Sequence, residues 1–201
     1  MTDCIIIATS NLHKLREFKT ILKERLKVDI LSLCDFKDYI LPEETGTSFE
    51  ENAVLKALAG AKAFNSLVLA DDSGLVVPAL KGDPGIHSSI YAGLGASDKE
   101  NRAKLLRNMN HLKEEQRYAY FSCALALADP TGIKACVTAS CEGFITEEEK
   151  GIQGFGYDCL FMKHEYGKTF GQLDHETKNR VSHRKKAIDK LCLTLESMGL
   201  I

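Results

Sequence analysis

The sequence predicts an α/β fold in which a long mixed β-sheet is flanked by helices. Three observations predict it. Residues 4–8 form an apolar, β-branched run, followed by helix-capping residues, an amphipathic stripe and a second apolar run, which is a β-turn-α-β opening. Residues 118–128 form a long apolar run that returns through the turn Asp129-Pro130-Thr131-Gly132. A helical stripe, Ile188, Leu191, Cys192 and Leu195, closes the chain. Parallel pairing from the opening and antiparallel pairing from the hairpin make the sheet mixed.

Taken in order, Cys4-Ile5-Ile6-Ile7-Ala8 reads as a strand buried on both faces. Thr9-Ser10-Asn11 caps a helix whose apolar stripe is Leu15, Phe18, Leu22 and Leu26. Residues 28–33 form the next strand. Thr47-Ser48-Phe49-Glu50-Glu51 carries a capping box, and Phe49, Ala53, Ala57, Ala61 and Phe64 then share a helical face. Residues 67–70 read as a strand that Asp71-Asp72-Ser73-Gly74 ends, with Leu75-Val76-Val77 resuming it. Residues 81–95 lack periodicity and read as a long loop; Asp98 opens another helix. The hairpin follows, with Ala135, Val137 and Ala139 alternating against polar neighbours. Glycine-rich residues 151–156 precede the apolar Cys159-Leu160-Phe161-Met162, and Ser182 caps the last helix.

At about 150 residues per domain, 201 residues make one domain over 1–201, with no linker-like stretch. A net charge of -2 speaks against a protein that coats nucleic acid. The seven cysteines include no C-x-x-C pair and lie mostly in apolar runs, which predicts free, buried thiols in a reducing compartment. No basic region with a cleavable apolar segment stands at the N-terminus. The apolar run at 123–128 is far short of the ~18 residues a span needs. A soluble, cytoplasmic protein with no membrane partner is expected.

Four segments carry residues suited to chemistry. The turn Thr9-Ser10-Asn11-Leu12-His13-Lys14 would place backbone N–H groups and a lysine at a helix N-terminus, where phosphate binds, though an ordinary N-cap looks the same. Glu43, Glu44, Asp71 and Asp72 are hard oxygen donors suited to Mg²⁺ and to activating water; they also read as solvated turns. Lys178, Arg180, Arg184, Lys185 and Lys186, with His183 among them, form a basic segment that opposes a helix dipole, as an anion-binding set or a screened surface patch would. In Gly154-Phe155-Gly156-Tyr157-Asp158 the glycines would let an aromatic ring lie against a base, or would simply make a turn. The remaining histidines show no ligand spacing. No serine sits in an elbow motif, and Gly93-Leu94-Gly95 lacks the third glycine of a dinucleotide fingerprint.

In order and spacing these segments resemble the inosine/xanthosine triphosphate pyrophosphatases, the Ham1-like family, over nearly the whole chain. Ala8-Thr9-Ser10-Asn11-Leu12-His13-Lys14 is similar to the family's opening motif. Glu43-Glu44-Thr45-Gly46-Thr47-Ser48-Phe49, with Glu51-Asn52-Ala53 and Lys56-Ala57, is similar to its acidic loop and second helix. Ala70-Asp71-Asp72-Ser73-Gly74-Leu75, Pro84-Gly85-Ile86-His87-Ser88, Gly154-Phe155-Gly156-Tyr157-Asp158, and Lys178 with Ser182-His183-Arg184 complete the set.

The resemblance implies Mg²⁺-dependent hydrolysis of ITP, dITP and XTP to the monophosphate and pyrophosphate, cleansing the nucleotide pool. It implies Asp72 as general base or water-positioning carboxylate and, with Glu44, as metal ligand. Lys14 would act in catalysis and, with Thr9, Ser10, Asn11, Leu12 and His13, would hold the triphosphate. Ser73 would touch the substrate, Phe155 would stack on the purine, and Gly156, Tyr157 and Asp158 would frame its pocket. Lys178, His183 and Arg184 would read the 6-keto group. The family also implies two lobes with an active-site cleft between them, and a homodimer. The chain departs from the family at Ile90, where a cation is usual. That departure motivates a rival, a nucleotide-binding or sensing protein with weak turnover. A same-fold enzyme acting on another modified nucleotide is the third reading.

Overall fold

The computed structural model describes residues 4–199 except residues 24, 26, 27 and 37, with the backbone alone at Cys34. Residues 1–3, Leu26 of the first helical stripe and the Cys34 side chain thus lie outside the described residues. The seven-stranded sheet has the order β2-β1-β3-β4-β5-β6-β7. Its strands are β1 (Cys4–Ala8), β2 (Asp29–Ser32), β3 (Val68–Val76), β4 (Tyr118–Asp129), β5 (Gly132–Ile145), β6 (Phe161–Lys163) and β7 (Lys168–Thr169). β1 pairs in parallel with β2 and β3, while β6 is antiparallel to β5 and β7, so the sheet is mixed as the sequence predicts. The helices are α1 (Leu12–Lys23), α2 (Phe49–Phe64), α3 (Asp98–Asn108), α4 (His175–Val181) and α5 (His183–Ser197). Among the described residues no helix is long and apolar enough to cross a membrane.

Two compact units make up the chain. The first comprises the described residues of Met1–Asp72, Cys123–Ala139 and His183–Ile201; the second comprises Ser73–Ser122 and Ser140–Ser182. β3, β4 and β5 contribute residues to both.

The first unit is built on the two faces of its strands. Alternate residues of a strand point to opposite sides. Ile5, Ile7 and Leu69 therefore pack with Leu15, Phe18, Ile21 and Leu22 of α1 and with Ala187, Ile188, Leu191 and Cys192 of α5. Ile6, Ala8, Val68 and Ala70 pack instead with Ala53, Ala57 and Ala61 of α2. Small residues on that second face allow close approach, and adding a Cβ at Gly60 would bring it within 3.0 Å of Val68. The second unit has its own core. Phe161 and Phe170 lie 5.0 Å apart between ring centroids, Phe121 sits 4.7 Å from Phe161, and Leu105 and Met109 of α3 join them.

Several boundaries differ from the sequence reading. β3 runs unbroken through Asp71-Asp72-Ser73-Gly74, because both carboxylates have partners from distant helices and are buried at 2% and 5% exposure. The strand at 28–33 ends at Ser32, where Leu33–Asp35 forms a short 3₁₀ turn. The loop at 81–95 contains the 3₁₀ segment Gly85–Ile90, pinned where Ser88 Oγ accepts from Leu75 N–H at 2.9 Å and donates to Gly85 C=O at 2.6 Å. Ser182 ends α4, its N–H donating to Lys178 C=O at 3.0 Å, and in extended backbone it immediately precedes α5, at the N-cap position the sequence reading gives it. The expected buried thiols are found at Cys123, Cys141 and Cys192, whereas Cys136 is exposed on the outward side of β5 between buried Ala135 and Val137.

Candidate active site

The strand alternation that builds the first core also separates two adjacent aspartates. Asp71 continues the face of Leu69, toward α1 and α5. Asp72 continues the face of Val68 and Ala70, toward α2. On the first face Lys14 of α1 reaches Asp71 Oδ2 at 2.8 Å. On the second, Asn52 Nδ2 of α2 donates to Asp72 Oδ2 at 3.0 Å, and Lys56 Nζ lies 3.7 Å from Asp72 Oδ1. The same Lys56 ammonium contacts Glu44 Oε1 at 2.5 Å.

The second helix is what places Asn52 and Lys56. Ser48 caps it by accepting from Glu51 N–H at 3.1 Å, and Glu51 reaches back to Thr47 N–H at 2.7 Å. Asn52 and Lys56, four residues apart, then share one face with Ala53, Ala57 and Gly60. Asn52 Oδ1 accepts from Gly46 N–H at 2.8 Å, tying the acidic loop to the helix. A Cβ at Gly46 would fall 2.6 Å from that oxygen, so only glycine fits there. Sequence reading missed Asn52 and Lys56 as functional groups; two polar residues recurring at i and i+4 within a stripe of alanines and glycine were the available signal.

Charge divides unequally over these groups. Burial alone would raise the Asp71 carboxyl, but Lys14, Lys56 and Arg184 outweigh it and hold it at about 2. Burial raises the Asp72 carboxyl above the ordinary value, against the pull of Lys56 and with the help of Glu44. Burial would lower Lys56, yet Asp71, Asp72 and Glu44 keep its ammonium above the usual lysine range. Asp71 is thus the settled anion, and Asp72 is the carboxyl placed to hold a proton more readily.

A pH prediction follows. A carboxyl depressed on folding contributes stability that is present above its unfolded value, near 3.8, and is lost as pH falls toward about 2. The stability gap between the wild type and Asp71→Asn is expected to narrow by about 2 kcal/mol between pH 5 and pH 2. Urea melts across that range measure it; a constant gap would show that Asp71 is not depressed.

The donor set suits a hard divalent cation. Glu44 and Asp72 converge on one cation position, held by the Lys56 ammonium, and two carboxylates leave room for waters and phosphate oxygens, as Mg²⁺ prefers. Among the described residues no group of three or more His, Cys, Asp or Glu forms a closed metal cage. Glu43, beside Glu44, is not among the contacts of Lys56.

At the opening turn, Asn11 Oδ1 accepts from His13 N–H at 2.9 Å and Lys14 N–H at 3.1 Å, so Asn11 caps α1 with its own side chain. Thr9 is buried; Ser10, Leu12 and His13 are exposed. The basic segment also differs from its sequence reading. Arg184 donates to Glu17 Oε2 at 2.7 Å and Lys185 to Asp189 Oδ2 at 2.5 Å, so acids of the chain itself offset the cations at the start of α5. His183 and Arg184 lie in the first unit, both buried, whereas Lys178 lies in the second.

The second unit groups the aromatic loop. Lys178 Nζ reaches Asp158 Oδ2 at 2.6 Å and lies 4.9 Å from the Phe155 ring centroid. Asp158 Oδ2 also accepts from Phe155 N–H at 2.8 Å, and Gly154 admits that carboxylate because a Cβ there would meet it at 2.0 Å. Tyr157 is buried, with its hydroxyl donating to Ser88 C=O at 2.8 Å. Phe155 is half-buried, leaving part of the ring for stacking. Ser73 begins the second unit.

Comparison with known proteins gives the chain's family and fold relatives. The description of the Ham1 family matches residues 5–193. A dITP/XTP pyrophosphatase from Protochlamydia amoebophila is 54% identical over 195 residues, covering 96% of this chain and 98% of the relative. One from Geobacillus kaustophilus is 50% identical over 187 residues, covering 93% and 91%. Among solved structures, a HAM1 protein from Coxiella burnetii superposes with a TM-score of 0.86 at 36% identity, covering 98% of this chain and 100% of that one. The Staphylococcus aureus Ham1 protein gives 0.84 at 39% identity, covering 97% and 99%.

Proposed function

The chain belongs to the Ham1 family, and we propose on that premise that it hydrolyses ITP, dITP and XTP to the nucleoside monophosphate and pyrophosphate with Mg²⁺, cleansing the nucleotide pool. The observation that carries the reading is the convergence of Glu44 and Asp72 on one cation position, with Lys14 and Asp71 behind it on the opposite strand face.

Glu44 and Asp72 would hold the metal, which when bound supplies fixed positive charge to the phosphate oxygens. Asp72, its carboxyl raised by burial, orients and deprotonates the water that attacks the α-phosphorus. Asn52 fixes the rotation of that carboxylate through its 3.0 Å bond. Lys14 and Lys56 exchange their carboxylate partners for phosphate oxygens, and Thr9, Ser10, Asn11, Leu12 and His13 line the same turn. In the second unit Phe155 stacks on the purine, Gly156, Tyr157 and Asp158 frame it, and Ser73 touches the substrate. Lys178, His183 and Arg184 donate to the 6-keto oxygen and its neighbours; adenine's 6-amino group leaves those donors unpaired. Unpaired buried donors discriminate strongly.

The test is pyrophosphate release with Mg²⁺ from ITP, dITP, XTP, ATP and GTP. The three non-canonical substrates are expected to exceed ATP in kcat/KM by at least about 100-fold, the scale set by mispaired buried polar groups. Equal turnover of all five, or orthophosphate as the first product, would overturn the reading. Tight nucleotide binding without turnover would favour the sensing protein that Ile90, 38% exposed at the end of its 3₁₀ segment, motivates.

A further inference from the structure

The loop carrying Phe155 is rich in residues that resist being fixed. Gly151, Gly154 and Gly156 adopt positive φ values of 83°, 77° and 58°, which glycine reaches freely and loses entropy by holding. One side of the loop is held by Asp158, which accepts from Phe155 N–H. The other side is held by the first turns of α3. Asp98 Oδ2 accepts from Gly156 N–H at 2.7 Å. Arg102 Nη1 donates to Gly156 C=O at 2.9 Å, and Arg102 Nε donates to Glu149 Oε1 at 2.8 Å. Both hydrogen-bonding groups of Gly156 are therefore engaged by charged side chains of one helix. The same guanidinium joins Glu149, two residues before the glycine-rich stretch, to Gly156 at its end. Charge-assisted bonds of this kind are about twice as strong as neutral ones. The helix has its own anchor: Ser97 and Glu100 form a capping box, and Leu105 is fully buried.

We infer that Asp98 and Arg102 are positioning residues that preorganise the Phe155 loop for the nucleobase. The inference rests on the function proposed above for Phe155, and adds two residues four apart on α3 that themselves touch neither base nor phosphate. Their loss is expected to fall on base recognition and to leave phosphate binding unchanged, because Lys14, Glu44, Lys56 and Asp72 belong to the first unit.

The chain has no tryptophan, so Phe155→Trp introduces a single fluorescent reporter into the loop. In that background Arg102→Ala is expected to raise acrylamide quenching about twofold as the loop loosens, and Arg102→Lys to restore part of the protection. With native Phe155, Arg102→Ala is expected to raise KM for dITP roughly tenfold with kcat changed less than about twofold, the scale of one charged hydrogen bond. The inhibition constant of inorganic triphosphate, which has no base, stays constant. Asp98→Ala, at an exposed position, gives the same pattern and serves if Arg102→Ala does not fold. Unchanged quenching would overturn the inference, as would a parallel fall of kcat and rise of the triphosphate inhibition constant. If the wild type releases no pyrophosphate from dITP or XTP, the functional reading fails, and the quenching result alone then decides for or against the positioning role.

Discussion

Replacing Asp72 by asparagine is expected to lower kcat for dITP by about 10²- to 10⁴-fold, the range of a lost general base, while the protein keeps its fold. The contrast with its neighbour makes this a sharp expectation. Asp71 is the ion-paired anion of the site, held at about 2 by the lysines and the arginine around it. Asp72 is raised by burial and shares a cation with Glu44. Asparagine at 72 still offers an oxygen to Asn52 Nδ2, and Lys56 keeps Glu44 and Asp71 as counter-charges, so stability changes little. Asparagine at 71 leaves the Lys14 ammonium without the counter-charge it holds at 2.8 Å, so stability falls first. Pyrophosphate release and thermal melting, run on both variants, separate the two roles. An Asp72→Asn protein with more than about a tenth of wild-type kcat would remove Asp72 from the position of base.

The second large effect is on stability. Arg117→Met is expected to destabilise the protein by more than about 3 kcal/mol, because it strands several buried acceptors at once. Arg117 is only 6% exposed, and its guanidinium is spent on backbone carbonyls. Nε donates to Ile145 C=O at 2.7 Å, Nη1 to Met109 C=O at 2.9 Å and Nη2 to Thr146 C=O at 2.8 Å. One side chain thereby closes the C-terminal end of α3 and fixes the end of β5. Lysine presents donors from a single atom and cannot fork to these carbonyls, so Arg117→Lys is expected to recover less than half of the loss. Urea unfolding at neutral pH measures both. A loss within about 0.5 kcal/mol, ordinary for a surface change, would show the carbonyls to be satisfied without it.

What could be read from the sequence was what depends on local pattern. The apolar opening at 4–8, the stripe of α1 and the turn at 129–132 each carry their signal within a few residues, and each is found where expected. What depends on partners far along the chain was not legible. Asp71-Asp72 reads as a turn because two adjacent acids are costly inside a strand; the cations that make them tolerable come from Lys14 and Lys56 on other elements. Arg184 reads as an unrelieved cation because Glu17 is 167 positions away. The seven-residue α4 escaped because it is too short to show an apolar stripe. The candidate residues were named by their segments and by the family those segments resemble, while Asn52, Asp98 and Arg102 emerge only from the side chains they touch.

The placement of Lys56 has a consequence for ion uptake. On the metal role proposed for Glu44 and Asp72, a divalent ion would not enter a vacant, repelling pair of carboxylates; it would trade places with an ammonium already seated there. Uptake is then an ion exchange, and its free energy is the difference between two attractions instead of the whole of one. Such an exchange would favour weak binding and ready release, with Lys56 neutralising the carboxylates of Glu44 and Asp72 while the ion is away. Folding and metal loading would thereby be uncoupled, the reverse of a closed zinc cage whose fold collapses with its ion.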